Sequence, residues 1–104
     1  MEMTAATQLY ALAIEKWGYK AQACMVMGEC GELTAAVNQF FIQGRTDKRD
    51  QVLDEMADVS IMIEQLIFML EAGPKFEQIK DQKLNRLADI IAGAIQHPHA
   101  GVES

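Results

Sequence analysis

The chain contains very few residues that would interrupt a helix. Proline occurs only at Pro74 and Pro98, and β-branched residues are scattered along the sequence. Apolar residues recur at spacings of three and four, which is the period of an amphipathic α-helix, whereas a half-buried strand would alternate with a period of two. The sequence therefore predicts an all-α fold.

Glycines and small polar residues divide the chain into four predicted helices. Thr4 is a plausible N-cap of the first helix, and Thr46 or Asp47 could cap the third. Gly18 and Gly44 are the expected C-terminal stops of the first two helices. The predicted helices cover residues 4–17, 19–43, 46–72 and 74–95.

Half of the 104 residues are hydrophobic, which is more than short helices in a monomer of this size can hide from water. Residues 59–70 are apolar nearly all round, so this segment should be buried on every side. It is too short to span a membrane and is interrupted by Glu64 and Gln65. We therefore expect one domain, residues 1–96, folded as a four-helix bundle that assembles into a homodimer or tetramer, and a frayed tail, residues 97–104.

The charge balance restricts the possible partners. The formal net charge is −6, which argues against binding to nucleic-acid polymers because such binding needs clustered Lys and Arg. An acidic protein can still bind a nucleotide if a divalent cation lies between its carboxylates and the phosphates. Cys24 and Cys30 are six residues apart on one predicted helix and cannot pair there. With no N-terminal signal pattern, the sequence indicates a cytoplasmic protein with free thiols.

Two pairs of carboxylates at a spacing of three are the strongest functional pattern. Glu29 and Glu32 lie on the second predicted helix, and Glu55 and Asp58 on the third. Three residues leave two side chains within about 60° around the helix axis and one turn apart. If the two helices pack antiparallel, the four carboxylates can converge and form a site for a hard cation that prefers oxygen ligands.

The alternative is that these pairs lie on solvated faces, where acidic residues are common. Against it, Glu29 and Glu32 lie among apolar residues with no Lys or Arg at the favourable spacing. Gly28 and Gly31 occupy mid-helix positions at a cost of about 1 kcal/mol each, which suggests that something needs the room. Two carboxylates about 4 Å apart repel by roughly 4 kcal/mol at an effective dielectric of 20, and a divalent ion would offset that repulsion.

These motifs, GECGEL followed by DEMADV, resemble the MazG-like all-α nucleoside triphosphate pyrophosphohydrolases. That family carries an E-x-x-E pair on one helix, a variable spacer, and an E-x-x-D pair on the next. The resemblance implies that Glu29, Glu32, Glu55 and Asp58 are catalytic Mg²⁺ ligands, with Mn²⁺ as a substitute, and that a nucleoside triphosphate is cleaved to monophosphate and pyrophosphate. Many members have a further acidic residue where this chain has Gly28, so the number of ions stays open.

Other residues are candidates for substrate binding. By resemblance, Lys83, Asn85 and Arg86 on the last helix could reach phosphates or sugar, although a solvated basic face is an equal alternative. Trp17 could stack on a base or serve as a packing anchor. Asn38 could hydrogen-bond a base or lie at an interface. The cations of the loop before the third helix could contact phosphates or be solvated; these are Arg45, Lys48 and Arg49.

Two other functions compete with hydrolysis. A di-iron carboxylate bundle needs Glu-x-x-His pairs, and His97 and His99 lie on neither carboxylate helix. A non-catalytic oligomerisation or regulatory module remains the alternative, and Mg²⁺ binding would distinguish it from the enzyme. A P-loop mechanism is not expected, because the sequence has no glycine-rich phosphate-binding loop with the Lys-Ser/Thr pair.

Overall fold

The computed structural model describes residues 4–93, and these residues contain four α-helices and no strand. The all-α prediction is confirmed. A π-helical turn follows the second α-helix, and a 3₁₀ turn precedes the third. In chain order the elements are α1 (Ala5–Trp17), α2 (Tyr19–Val37), the π-helical turn (Asn38–Ile42), the 3₁₀ turn (Thr46–Lys48), α3 (Arg49–Leu70) and α4 (Gly73–Ile91).

The first helix begins and ends where the sequence predicts. The Thr4 hydroxyl accepts a hydrogen bond from the Thr7 backbone N–H at 3.1 Å, which satisfies one of the unpaired donors of the first turn. Gly18 adopts φ 87°, a conformation that glycine reaches without steric cost, and its N–H donates to the Ile14 carbonyl oxygen at 2.7 Å. This glycine therefore separates α1 from α2.

The second helix changes its hydrogen-bond pattern before its predicted end at Gln43. Its α-helical part ends at Val37, and the Gln43 N–H donates to the Asn38 carbonyl oxygen, five residues back, at 2.9 Å. Such wide turns occur as short insertions in helices and are frequent at functional sites. The chain then leaves the helix at Gly44, which has φ 70°.

The predicted caps of the third helix are wrong. Thr46 and Asp47 lie inside a 3₁₀ turn, and Lys48 occupies the N-cap position of α3 without a side-chain capping bond. The Asp47 carboxylate is instead 3.6 Å from the Arg45 guanidinium. At the other end, α3 stops two residues before the predicted Ala72, since Glu71 adopts the left-handed conformation at φ 51°.

The chain divides into two compact units, Met1–Glu71 and Ala72–Ser104. In the first unit α2 packs most extensively against α3, and α1 contacts both. Tyr10 of α1 is buried, and its hydroxyl donates to the Glu64 carboxylate of α3 at 2.6 Å. The buried apolar residues are Tyr10, Ala36, Val52 and Val59, and the buried polar residues are Gln22, Glu55 and Gln65.

The apolar segment 59–70 is only partly buried within one chain. Val59 is 8% exposed, whereas Ile61 is 47% and Leu70 is 73% exposed. A single chain therefore does not bury this segment on every side, because only one face of α3 is covered by its own neighbours. The predicted assembly that would cover the rest stays a prediction.

The described part of the second unit is α4 and the turn that follows it. Pro74 lies in the first turn of α4, where its missing N–H costs no helical hydrogen bond. The helix ends at Ile91, four residues before the predicted end, and Gly93 follows with φ 83°. The predicted tail, residues 97–104, lies outside the described residues.

Between residues 4 and 93, no helix combines the length and the apolar character needed to cross a membrane.

Candidate metal centre

The antiparallel packing of α2 and α3 sets the geometry of the site. One pocket is lined by residues of both helices, and Glu32 of α2 lines it together with Glu55 of α3. The π-helical turn that continues α2 contacts the 3₁₀ turn that precedes α3, whereas Glu29, earlier in α2, is grouped with Glu55, later in α3. The two helices therefore run in opposite directions, and the acidic pairs of the sequence lie at the same level.

The structure brings three of the four predicted carboxylates into one cluster. Glu29, Glu32 and Glu55 each offer an oxygen, and these oxygens lie within 4.8 Å of one another. Asp58 forms a second such group with Asp54 and Glu55, so Glu55 belongs to both. We refer to these five carboxylates as the acidic cluster.

Sequence reasoning missed Asp54. The signal was present, because Asp54 directly precedes Glu55 and is one helical turn from Asp58. Asp54 is exposed, and it lies outside the regular spacing of three that led to the other four positions. Asp54, Glu55 and Asp58 all lie on α3, so the helical spacing alone brings these three carboxylates together.

Burial distinguishes the members of the cluster from an ordinary solvated face. Glu55 is only 5% exposed, Glu29 and Asp58 are half-buried, and Glu32 and Asp54 are exposed. Carboxylates are almost never fully buried unless they are paired. The solvated-face interpretation therefore fits Glu32 and Asp54 but fails for Glu55.

The buried carboxylates lack the partners that burial normally requires. The Gln51 side-chain amide donates to Glu55 Oε1 at 2.7 Å, but Glu55 Oε2 and Glu29 Oε2 are buried and accept no hydrogen bond from any residue that the structure describes. No Lys or Arg of the described residues lies within 4.0 Å of a cluster carboxylate. A buried acceptor without a partner loses its hydration without compensation.

The proton affinities of the buried carboxyls reflect this environment. Desolvation raises the pKa of Glu29, and the nearby negative charges, that of Glu32 foremost, raise it further. Desolvation and the charge of Glu32 also raise the pKa of Glu55, while the hydrogen bond from Gln51 acts in the opposite direction. Both groups would be stabilised by a proton or by a cation.

The two mid-helix glycines do not make room for a neighbour within the chain. A Cβ atom added at Gly28 or Gly31 would meet no atom within 4 Å. Both positions face open space among the described residues, and the expectation that something needs this room stays a prediction.

An open pocket of about 360 Å³ adjoins the cluster. Lys48 lines it, together with Glu32 and Glu55 and the uncharged residues Ala35, Ala36, Gln39 and Gln51. The other two cations of this loop are engaged by neighbouring carboxylates: Arg45 lies 3.6 Å from Asp47, and Arg49 lies 3.7 Å from Asp50. The structure therefore distinguishes among three cations that the sequence left equivalent.

The remaining predicted substrate residues lie apart from this pocket or in the second unit. Trp17 is 57% exposed, with the Lys16 ammonium 5.2 Å from its ring centroid. Asn38 is exposed at the start of the π-helical turn, and neither residue lines the pocket. Three residues of α4 are exposed, and their role in substrate binding stays a prediction; these are Lys83, Asn85 and Arg86.

Comparison of the chain with protein-family models, with curated proteins and with solved structures finds no match.

Proposed function

We propose that this chain is a Mg²⁺-dependent nucleoside triphosphate pyrophosphohydrolase that converts a ribo- or deoxyribonucleoside triphosphate to the monophosphate and pyrophosphate. The observation that carries the proposal is the acidic cluster, in which Glu55 is buried and its Oε2 atom has no partner. The Glu29 Oε2 atom is in the same state.

The donor set fits a hard divalent cation. Mg²⁺ is bound by carboxylate oxygens and is often shared between protein and substrate phosphates, and each of the two groups in the cluster offers three oxygen ligands within 4.8 Å of one another. Glu29, Glu32, Glu55 and Asp58 would hold Mg²⁺, or Mn²⁺ in its place, and Asp54 could assist. When bound, the metal supplies positive charge that offsets the carboxylates and the triphosphate and lowers the pKa of water.

The residues of the chain itself have three tasks in this reaction. The cluster fixes where the triphosphate lies, and the hydrogen bond from Gln51 fixes the orientation of the Glu55 carboxylate. A carboxylate that is not fully engaged as a ligand can accept the proton of the attacking water. Water adds to the α-phosphorus, the bond to the bridging oxygen breaks, and pyrophosphate leaves.

We also propose that the protein is a homodimer or a tetramer of dimers. This is supported by the exposed apolar side chains of α3, among them Ile61, Ile63 and Leu70 at 47%, 40% and 73% exposure. Light scattering at micromolar concentration would test it, and a stable monomer would contradict it.

The substrate residues outside the pocket and the location in the cell are part of the same proposal. Trp17 or Asn38 would contact the base, and the basic residues of α4 would contact phosphates. A cytoplasmic location is supported by Cys24 and Cys30, which are both free thiols.

Product analysis tests the proposed reaction. The protein is incubated with Mg²⁺ and a panel of canonical and modified nucleoside triphosphates, and the products are separated by ion chromatography. We expect monophosphate and pyrophosphate in equal amounts. Orthophosphate as the primary product would contradict the proposal, and absence of both hydrolysis and Mg²⁺ binding would favour a non-catalytic oligomerisation module.

A further inference from the structure

The pocket beside the acidic cluster contains one positive side chain, that of Lys48. It is half-buried, and the pocket has residues of α2 on one side and residues of α3 on the other. Lys48 forms no ion pair with any described residue, whereas Arg45 and Arg49 do. Its ammonium group is therefore available to an anion that enters this pocket.

The backbone around Lys48 also favours an anion. Lys48 occupies the N-cap position of α3, where an Asp, Ser or Thr would normally accept hydrogen bonds from the first turn, and no side chain caps this helix. The N-terminus of a helix carries partial positive charge. A cation at this position adds to that charge instead of offsetting it.

The separation of Lys48 from the cluster indicates the shape of the anion. Lys48 and Glu55 are seven residues apart, or about 10.5 Å along the helix axis. That distance separates the two backbone positions, and both side chains line the same pocket. A chain of two or three phosphates can extend from the cluster towards the ammonium group.

We propose that Lys48 binds the phosphate chain of the substrate at the end far from the carboxylates, and that this pocket selects polyphosphate chains over single phosphates. The proposal rests on the proposed function, since it assigns one end of the same substrate. Lys48 is a binding residue in this scheme, and the Gln39 side-chain amide, which lines the same pocket and has no hydrogen-bond partner among residues 4–93, can donate a second hydrogen bond.

Calorimetric titration of the full-length chain with magnesium tripolyphosphate tests the proposal. Lys48→Met should weaken binding by about tenfold to a hundredfold, because it removes a charge-assisted hydrogen bond. Arg49→Met is the matched control, because Arg49 carries the same charge, is the next residue in the chain and already pairs with Asp50. This substitution should change the tripolyphosphate affinity by less than about twofold. Lys48→Arg should restore most of the affinity. Orthophosphate should bind equally weakly to the parent and to Lys48→Met.

Hydrolysis kinetics separate this proposal from the proposed function. Lys48→Met should raise KM for a nucleoside triphosphate more than it lowers kcat.

If the parent hydrolyses the substrate but Lys48→Met binds tripolyphosphate as the parent does, or Arg49→Met loses as much affinity, the role of Lys48 is refuted and the function stands. If tripolyphosphate binding depends on Lys48 without any hydrolysis, the function is refuted and the site stands. A parent that hydrolyses the nucleoside triphosphate but binds no tripolyphosphate refutes the role of Lys48 alone, and a parent that does neither refutes both. Helical circular dichroism monitors folding, and Lys48→Gln replaces any Lys48→Met protein that does not fold.

Discussion

Polar side chains are buried at two places along α2 and α3, and these places differ in charge. Gln22 and Gln65 are each 2% exposed, and both are neutral amides. Gln22 lies seven residues before Glu29 on α2, and Gln65 lies seven residues after Asp58 on α3. Because the two helices are antiparallel, both glutamines lie at the same level along the helix axes, about 10.5 Å from the acidic cluster. We call this pair the amide end. At the cluster the buried group is the Glu55 carboxylate, surrounded by other carboxylates.

The difference shows which burial the fold can tolerate alone. Gln65 Nε2 has no hydrogen-bond partner within the described part of the chain, and such an unsatisfied neutral donor costs about 1–3 kcal/mol. The unpartnered carboxylate oxygens of the cluster also lose hydration, which is more costly for a charged group, and mutual repulsion adds to that cost. The amide end can therefore be purely structural, whereas the acidic cluster needs a proton or a cation.

The largest expected effect is on hydrolysis. Alanine at Glu29, Glu32, Glu55 or Asp58 should lower kcat/KM by at least about a hundredfold, since even residues that only support metal ligands contribute about tenfold to a hundredfold. Lys83→Ala should cost far less. Initial rates of pyrophosphate release measure the effect.

Two controls connect this prediction to the comparison. Glu15→Ala removes an exposed carboxylate from α1 and should leave the rate unchanged. Gln65→Leu alters the amide end and should also retain hydrolysis. A loss at Gln65 as large as that at Glu55 would remove the distinction between the two regions.

The second prediction concerns metal binding and stability. A ligand present at about 100 times its Kd stabilises the folded state by about 2.7 kcal/mol. For a chain of this size that amount should raise Tm by roughly 10 °C or more. Glu32→Gln should reduce the Mg²⁺-dependent shift, whereas Gln65→Leu should preserve it. Differential scanning calorimetry with and without Mg²⁺ gives the comparison, and an unchanged shift in Glu32→Gln would contradict the ligand assignment.

A third, smaller effect is expected at the contact between α1 and α3. Burial, and to a lesser extent the hydrogen bond to Glu64, raise the pKa of Tyr10 to about 12, so the hydroxyl remains a donor throughout the neutral range. Tyr10→Phe should lower the free energy of unfolding by about 1–2 kcal/mol, since it removes a hydrogen bond to a charged acceptor. Urea denaturation measures this loss. The Mg²⁺-dependent shift in Tm should not change, because Tyr10 lies outside the acidic cluster.

The smallest effect is a pH dependence of the metal-free protein. Because the pKa of Glu29 is raised in the folded state, the folded protein binds this proton more tightly than the unfolded chain does. Its contribution is fully present below the unfolded pKa and is lost as the pH rises through the folded pKa. Between mildly acidic and neutral pH, Glu29→Gln should therefore lose less stability than the parent. Tm measured against pH in the presence of a chelator tests this, and parallel curves for the two proteins would contradict it.

Local patterns in the sequence predicted much of the fold. The period of the apolar residues predicted the all-α class, and Thr4 and Gly18 predicted both ends of α1. The predictions were wrong where a local signal had an alternative partner. Asp47 interacts with Arg45 instead of capping α3, and the turn that begins at Asn38 ends the α-helical pattern of α2 before its glycine stop.

For the candidate site too, the sequence determined some features and only the tertiary structure decided others. The spacing of three residues determined that Glu29 and Glu32 share one side of α2, and Glu55 and Asp58 one side of α3, because the angle per residue of a helix is fixed. Only the tertiary structure decided that Glu55 is buried while Glu32 is exposed, and that Glu29 and Glu32 of α2 lie beside Glu55 of α3. It also decided that Lys48 lines the pocket and Arg49 does not. Burial and pairing depend on the level and angle at which two helices meet, and these are properties of packing between residues that are far apart in the sequence.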